Sequence, residues 1–485
     1  MRHGILPVPA LCRLRAIYDR TPSGRHTTPL SDATHRQRLQ QAAGVRRVTY
    51  TWRGANPEAA QSDARLARAW VEVDVGALTR NAERLYARAA CPLIAIVKAD
   101  AYGHGAIAVA TALRRWSAGS ARLHAFGTAT VTEAIALRAH FDHHRVESER
   151  LREAIGEDFR DELDDETQAA TDRETQTATD RDAHPVVDRG HTAPRILCCT
   201  PLLPAELEEA RRYAIIPALH RAEEIAWWHA NSGGPWHLSI DTGMQRAGIR
   251  WDRAQQLRDI VTRHPPAAVF THFHSAEVQD DSRVEQERRF ADTCTALGFD
   301  DRPDIARHLD NSAAIAMRGR SNAAYVRPGI ALYGGCPTEQ LPLEPIATIR
   351  ARVLDVHDVE HGESVSYNAT WHAEGRRTIA TVGIGYADGY RRSFSNATRA
   401  VLHGSPVPSA GRVTMDMTMF DVTGVACAVG DVVTLAGRDG AVTITPEELA
   451  ESGGLSVYEL FVGQKLRMPR HYVESSSSPE SGRTT

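Results

Sequence analysis

From Trp70 onward, short apolar runs alternate with stretches whose apolar residues recur at helical spacing. The runs at 93–97, 125–127, 195–199, 237–240 and 268–270 are brief and continuous, as expected of strands buried on both faces. Between several of them lie helix-like segments at 77–90, 106–116 and 131–140. This alternation predicts a parallel sheet with crossover helices, either doubly wound or closed into a barrel. After about residue 345 the helical period fades. Segments 378–384, 399–402, 431–436 and 442–444 then read as strands punctuated by Gly and Pro, predicting a second, mainly β domain.

Three regions break the pattern. Residues 1–68 are rich in Arg and Pro, poor in acids and without the apolar core of a secretory signal, so a disordered extension is expected. The polar stretch 141–192 contains ETQAATDR at 166–173, followed at once by ETQTATDR at 174–181. It predicts a disordered insertion between a helix and a strand, which in a β/α barrel lies away from the catalytic face. Residues 474–485 are expected to form a disordered tail.

The chain's 485 residues suit two domains, and 42% hydrophobic with 24% charged residues is ordinary for a globular protein. A formal net charge of −4 gives no reason to expect nucleic acid or an anionic membrane as partner, and no apolar run is long enough for a membrane helix. The seven cysteines include no C-x-x-C pair, which points to a reducing cytoplasm and to no metal site.

Of the 57 Lys and Arg residues, only Lys98 and Lys465 are lysine. Arginine replaces lysine as a solvated charge but not as an amine nucleophile, because its guanidinium stays protonated. Lys98 also follows an apolar strand and precedes a Gly-bearing loop, in PLIAIVKADAYGHGA. Barrel enzymes place catalysis at that end of a strand, and partial burial there would favour the neutral amine that attacks an aldehyde.

AIVKADAYGHG at 95–105 resembles the cofactor-lysine motif of the alanine racemase family. The resemblance runs from about Trp70 to Tyr472 through WVEVDVGAL at 70–78, FGTATVTEAIALR at 126–138, HLSIDTGMQRAGI at 237–249 and THFHSAE at 271–277. It continues through LDNSAA at 309–314, VRPGIALYG at 326–334, GESVSYNATW at 362–371 and IGYADGY at 384–390. GRVTMDMTMFDV at 411–422 and VYELFVGQKLRMPR at 457–470 close the series. What it implies is an α/β protein with an N-terminal (β/α)8 TIM-like barrel over 69–345 and a C-terminal mainly β domain over 346–473. The implied enzyme is a homodimer with shared active sites that interconverts L- and D-alanine, supplying D-alanine for peptidoglycan. The implied cofactor is pyridoxal 5'-phosphate, held by Lys98 as a Schiff base.

The resemblance also implies residue roles. Lys98 and Tyr367 would be the two catalytic bases, on opposite faces of the substrate. Since an ordinary tyrosine loses its proton only near pH ~10, Tyr367 needs donors or positive charge nearby, and His272 and Arg327 match residues placed behind it. Arg327 would face the pyridine nitrogen, where a donor-only side chain keeps that nitrogen unprotonated and weakens the electron sink. Tyr102, Ser312 and the backbone N–H groups of Gly329 and Ile330 would hold the phosphate. Ser312 could equally be a helix cap. Arg246 and the Met415 N–H would bind the substrate carboxylate, and Tyr386, Arg412 and Asp416 would line the entrance. Two positions depart from the family pattern. Ser239 stands where many relatives carry a carbamylated lysine, and Leu466 where many carry a phosphate-contacting tyrosine. The rival readings are a broader-specificity racemase acting on serine or larger amino acids, a non-catalytic cofactor carrier, and a basic amino-acid decarboxylase. Tyr367 and the motifs after residue 345 weigh against the carrier, and Arg327 against the decarboxylase.

Overall fold

The computed structural model describes residues 66–155, 193–231, 234–335, 338 and 340–475, with the backbone alone over 144–155. The disorder expected within 1–65, 156–192 and 476–485 falls outside the described residues.

The first sheet is parallel and runs β2 (Leu93–Ile96), β3 (Leu123–Thr128), β4 (Ile196–Cys198), β5 (Ile216–Leu219), β6 (His237–Asp241), β8 (Ala268–Phe270) and β9 (Ala306–His308), with the two-residue β7 (Ile249–Arg250) beside β6. An eighth stave around Val326 closes it. The Ile94 and Ile96 N–H groups donate to Val326 O and Pro328 O at 2.8 and 3.0 Å. On its other side Ala324 N and Arg327 N donate to Arg307 O and Asp310 O. The eight staves form a β/α barrel wrapped by helices, so of the two parallel-sheet solutions the closed one is realised.

The strands are apolar throughout because they bury both faces. Ile94, Ala125, Leu197 and Ile216 fill one half of the barrel interior, while Leu93, Ala95, Phe126 and Ile196 face the helices. The other half of the interior is polar, since His237, Ser239, His308 and Arg327 are all buried there.

The second sheet is mainly antiparallel and is built around the 13-residue β10 (Ala347–Val359), which pairs with β11 (Arg377–Val382) and β15 (Val432–Asp439). β12 (Arg399–Leu402), β13 (Ser405–Pro408), β14 (Thr418–Asp421) and β16 (Val442–Ile444) extend it. Two further strands join from the ends of the described chain. β1 (Ala69–Asp74) pairs antiparallel with β10 and parallel with β17 (Arg470–Val473). The stretch expected to open the barrel at 69 thus belongs to the β domain's sheet. Its alternation, with Val71 and Val73 buried and Glu72 bonded to Trp70 and Arg350 on the other face, marks a half-buried strand but cannot name its partner.

A second difference is the helix expected to end at 140. It continues from Val131 to Ile155, into the polar stretch that was expected to lack structure.

Candidate active site

At the C-terminal ends of the barrel strands lies a cavity of about 420 Å³. Lys98, Tyr102, Arg246, His272, Ser312, Arg327, Gly329 and Ile330, all expected in the site, line it together. Ser239, Cys199 and Tyr458 line it as well.

Lys98 directly follows β2 and its Val97 neighbour, and the chain then makes an unusual turn. Ala99, Asp100, Ala101 and Tyr102 have φ of 51°, 55°, 52° and 54°, a single left-handed turn made without glycine. Each such residue costs roughly 1–2 kcal/mol in an L-peptide, so the surroundings must hold it. Glu133 Oε1 accepts the Ala99 N–H at 2.7 Å, and its Oε2 accepts Ala129 N and Thr130 N. Asp100 Oδ1 accepts Ala106 N at 2.8 Å, and Val97 O accepts Ala101 N. The turn drives Tyr102 inward against Tyr333, ring centroids 4.9 Å apart. Burial pushes the Tyr102 phenol well above its usual range, so it stays a donor. Lys98 itself is exposed in the single chain, so the partial burial expected of it is not supplied by its own subunit.

Opposite Tyr102 sits Gly329. A Cβ there would stand 2.5 Å from the Tyr102 hydroxyl, so only glycine lets this backbone approach so closely. Ser312 Oγ accepts the Gly329 N–H at 2.9 Å and the Ala331 N–H at 3.3 Å. The expected helix-cap alternative for Ser312 is not realised. Asn311 caps the helix Ser312–Arg318, its Oδ1 accepting Ala314 N at 3.0 Å, which leaves the serine hydroxyl to the cavity.

Arg327 is buried beneath the cavity. Its Nη1 donates to His308 Nδ1 at 2.8 Å and to His308 O, and its Nη2 to Thr271 O and Leu309 O. Burial lowers its pKa to about 10, which still leaves it a cation at neutral pH. Because a guanidinium only donates, His308 Nδ1 must accept. His308 then carries its proton on Nε2 and donates to His237 Nδ1 at 3.0 Å. Burial, followed by Arg327, holds His308 far below the usual histidine range. The same two causes, with Arg246 and Lys98 behind them, lower His272 to about 3.

Tyr367 and Met415 do not line the cavity. They lie on the β domain, 69% and 53% exposed. The five residues expected from that domain nevertheless sit on three loops tied together. Ser366 Oγ donates to Arg412 O at 2.7 Å, Tyr386 N to Thr414 O at 3.0 Å and Ala387 N to Met415 O at 2.9 Å. Asp416 pairs with Arg467 at 2.8 Å. Leu466, 77% exposed, is also absent from the cavity lining. The Tyr367 face of the single chain is therefore not part of the barrel-mouth cavity lining.

Sequence reading did not single out Glu133, His308, His237 or Tyr458. A glutamate near a helix start and a lone histidine in a strand carry no signal of their own. Only the barrel's closure brings the histidines together behind Arg327.

Two family profiles cover most of the chain. The one described as alanine racemase, N-terminal domain, matches residues 73–337, and the one described as alanine racemase, C-terminal domain, matches 346–472. The chain belongs to the alanine racemase family. Among relatives named alanine racemase, one from Synechocystis sp. is 33% identical over 420 residues, covering 83% of this chain and 98% of that one. Another, from Methylobacterium nodulans, is 32% identical over 419 residues, covering 84% and 96%. Among solved structures, the alanine racemase from Streptomyces coelicolor shares 27% identity at a TM-score of 0.68, covering 85% of this chain and all of that one. The alanine racemase from Bacillus anthracis, described with bound L-Ala-P, shares 26% at 0.66, covering 85% and 96%. This racemase family is pyridoxal-phosphate-dependent, and the barrel followed by a β domain is its architecture.

Proposed function

We propose that the chain interconverts L- and D-alanine using pyridoxal 5'-phosphate at the barrel mouth, with Lys98 and Tyr367 as its two proton-transferring residues. The observation that carries this reading is the convergence of Lys98, Tyr102, Ser312, Gly329 and Arg327 on one cavity. Their chemistry fits the cofactor: an amine for its aldehyde, hydroxyl donors and a close-approach glycine for its phosphate, and a pinned cation for its ring nitrogen. When bound, the cofactor supplies the electron sink that lets an α-proton leave.

The chain's own residues do the rest. Lys98 Nζ takes or returns the proton on one face of the substrate. The Tyr367 hydroxyl serves the opposite face, and its exposed position on the β domain supports its entering the site of a second copy. Arg327 can only donate, so it keeps the ring nitrogen an acceptor and weakens the electron sink, which suits reprotonation over transamination. Neutral His272 lines the cavity behind the reacting groups. Arg246, which has no hydrogen-bonding partner among the described residues, and the Met415 N–H of the second copy bind the substrate carboxylate. A homodimer with shared sites follows from this reading. A reducing cytoplasm fits the unpaired Cys91, Cys198, Cys199, Cys294 and Cys427. No helix of the described residues is long and apolar enough to cross a membrane.

The test is incubation of the purified protein with a panel of L-amino acids and assay of the D-enantiomers. D-alanine should accumulate fastest. A faster product from serine or a larger amino acid would replace alanine as the substrate, and no D-amino acid at all would refute the reading.

A further inference from the structure

The chain has a second cavity, about 630 Å³, at the opposite end of the barrel. It is lined where strands begin, at His124, Arg195, Ile216 and His237, and by Arg138 and Tyr325. We propose that this cavity binds a small organic anion, a carboxylate or a phosphate ester.

Three observations carry the proposal. First, among the described residues the lining holds three arginines and two histidines but no aspartate or glutamate. Arg211 is paired with Glu208, but the other two arginines lack a bonded acid among the described residues. Arg138 is buried, and its Nε and Nη2 donate to Tyr213 O and Ala214 O at 3.2 and 3.1 Å. Those carbonyls fix the guanidinium without neutralising it, and Asp142 acts on it only through space. A buried cation left so is costly unless an anion meets it. The Arg195 guanidinium makes no hydrogen bond or ion pair among the described residues, although the Arg195 carbonyl accepts the Phe126 N–H at 2.9 Å. Two fixed or free guanidinium forks are the usual apparatus for planar carboxylate and phosphate groups.

Second, the cavity offers a body as well as a charge. His124 and Tyr325 stack at 3.6 Å and 18°, forming one flat wall, and Ile215, Ile216 and Trp228 form apolar surface around them. Its volume suits a small metabolite and exceeds what a bare inorganic ion fills. Third, it is separate from the racemase cavity. The buried His237, His308 and Arg327 stand between the two, and only His237 lines the lower one while only Arg327 lines the upper.

The experiment uses the dimeric holoenzyme after borohydride reduction, so that the cofactor occupies its own phosphate site. Citrate and glycerol 3-phosphate are titrated by calorimetry, with sodium chloride as the ionic-strength control. We expect one of them to bind saturably at one per chain, and which one does so tells carboxylate from phosphate ester. Arg195→Ala, an exposed change, should weaken it about ten-fold or more, the loss of one charge-assisted hydrogen bond. Arg246→Ala, at the other end of the barrel, should leave it unchanged. No saturable binding of either probe, or equal affinity in Arg195→Ala, overturns the proposal. So does loss of binding in Arg246→Ala, which would place the anion in the racemase cavity. Binding that emerges only in a chain lacking residues 156–190 would mean that the cavity takes the chain's own acidic segment, and this too overturns it.

Discussion

Lys98 and Gly329 act through opposite properties, one through a reactive amine and the other through having no side chain. If Lys98 holds the cofactor, borohydride reduction should fix it on the peptide containing Lys98 and not on that containing Lys465. Lys98→Arg should abolish both labelling and turnover, as read by peptide mass spectrometry and by D-alanine formation. Gly329→Ala puts a methyl against a hydroxyl whose ring is wedged between Tyr333 and Tyr458. Cofactor affinity should fall about ten-fold, on the order of one lost hydrogen bond to a charged group. Tyr102→Phe added to it should recover thermal stability without recovering affinity. Unchanged cofactor affinity in Gly329→Ala would show that the close approach is not used.

The buried histidines make a prediction about acid. Burial first, then neighbouring positive groups, holds His237 and His272 at about 3, against 6.5 for an ordinary histidine. Their pKa values are lower folded than unfolded, so the unfolded chain takes up protons first. Their contribution to stability is complete above about pH 6.5 and is lost as the pH falls toward 3. At pH 5 each should cost about 2 kcal/mol. The urea midpoint of the holoenzyme should drop clearly between pH 7 and pH 5, and a flat midpoint would contradict their burial as neutral groups.

Among the elements, the left-handed turn after Lys98 depends on a side chain from another element. Glu133 bonds three N–H groups on two loops, so it couples the turn to the end of β3. Glu133→Ala should loosen it, lowering stability by about 1–3 kcal/mol and weakening cofactor binding more than the Michaelis constant for alanine. Equal cofactor affinity measured by fluorescence titration would show that the turn holds itself. β1 teaches a related lesson. Its alternating pattern is legible as a strand, yet its hydrogen bonds go to β10 and β17, far along the chain. Period alone reports which face is buried and not against what.

At the scale of the whole molecule, the separation of the Tyr367 face from the barrel mouth is the central fact. If each site combines Lys98 of one subunit with Tyr367 of the other, Lys98→Ala and Tyr367→Ala subunits should complement each other. One site of the mixed dimer holds both lesions and the other holds neither, so co-expression should restore part of the activity. Differently tagged subunits must show that mixed dimers formed. Verified mixed dimers without activity would rule out the shared site.

The strand–helix alternation, the change to a β domain near 345 and the cavity residues Lys98, Tyr102, Arg246, His272, Ser312, Arg327, Gly329 and Ile330 were all legible in the sequence. Apolar periodicity records local burial, and runs such as AIVKADAYGHG keep reactive groups and the glycines that make room for them in one short stretch. Other features became visible only in three dimensions. They include closure into a barrel rather than a doubly wound sheet, the membership of β1 in the second sheet, and the run of the 131–155 helix into a polar stretch. The same holds for the His237–His308–Arg327 line and the second, basic cavity. Except for the helix, these depend on contacts between residues distant in sequence, and a pattern read along the chain holds no record of which buried face meets which.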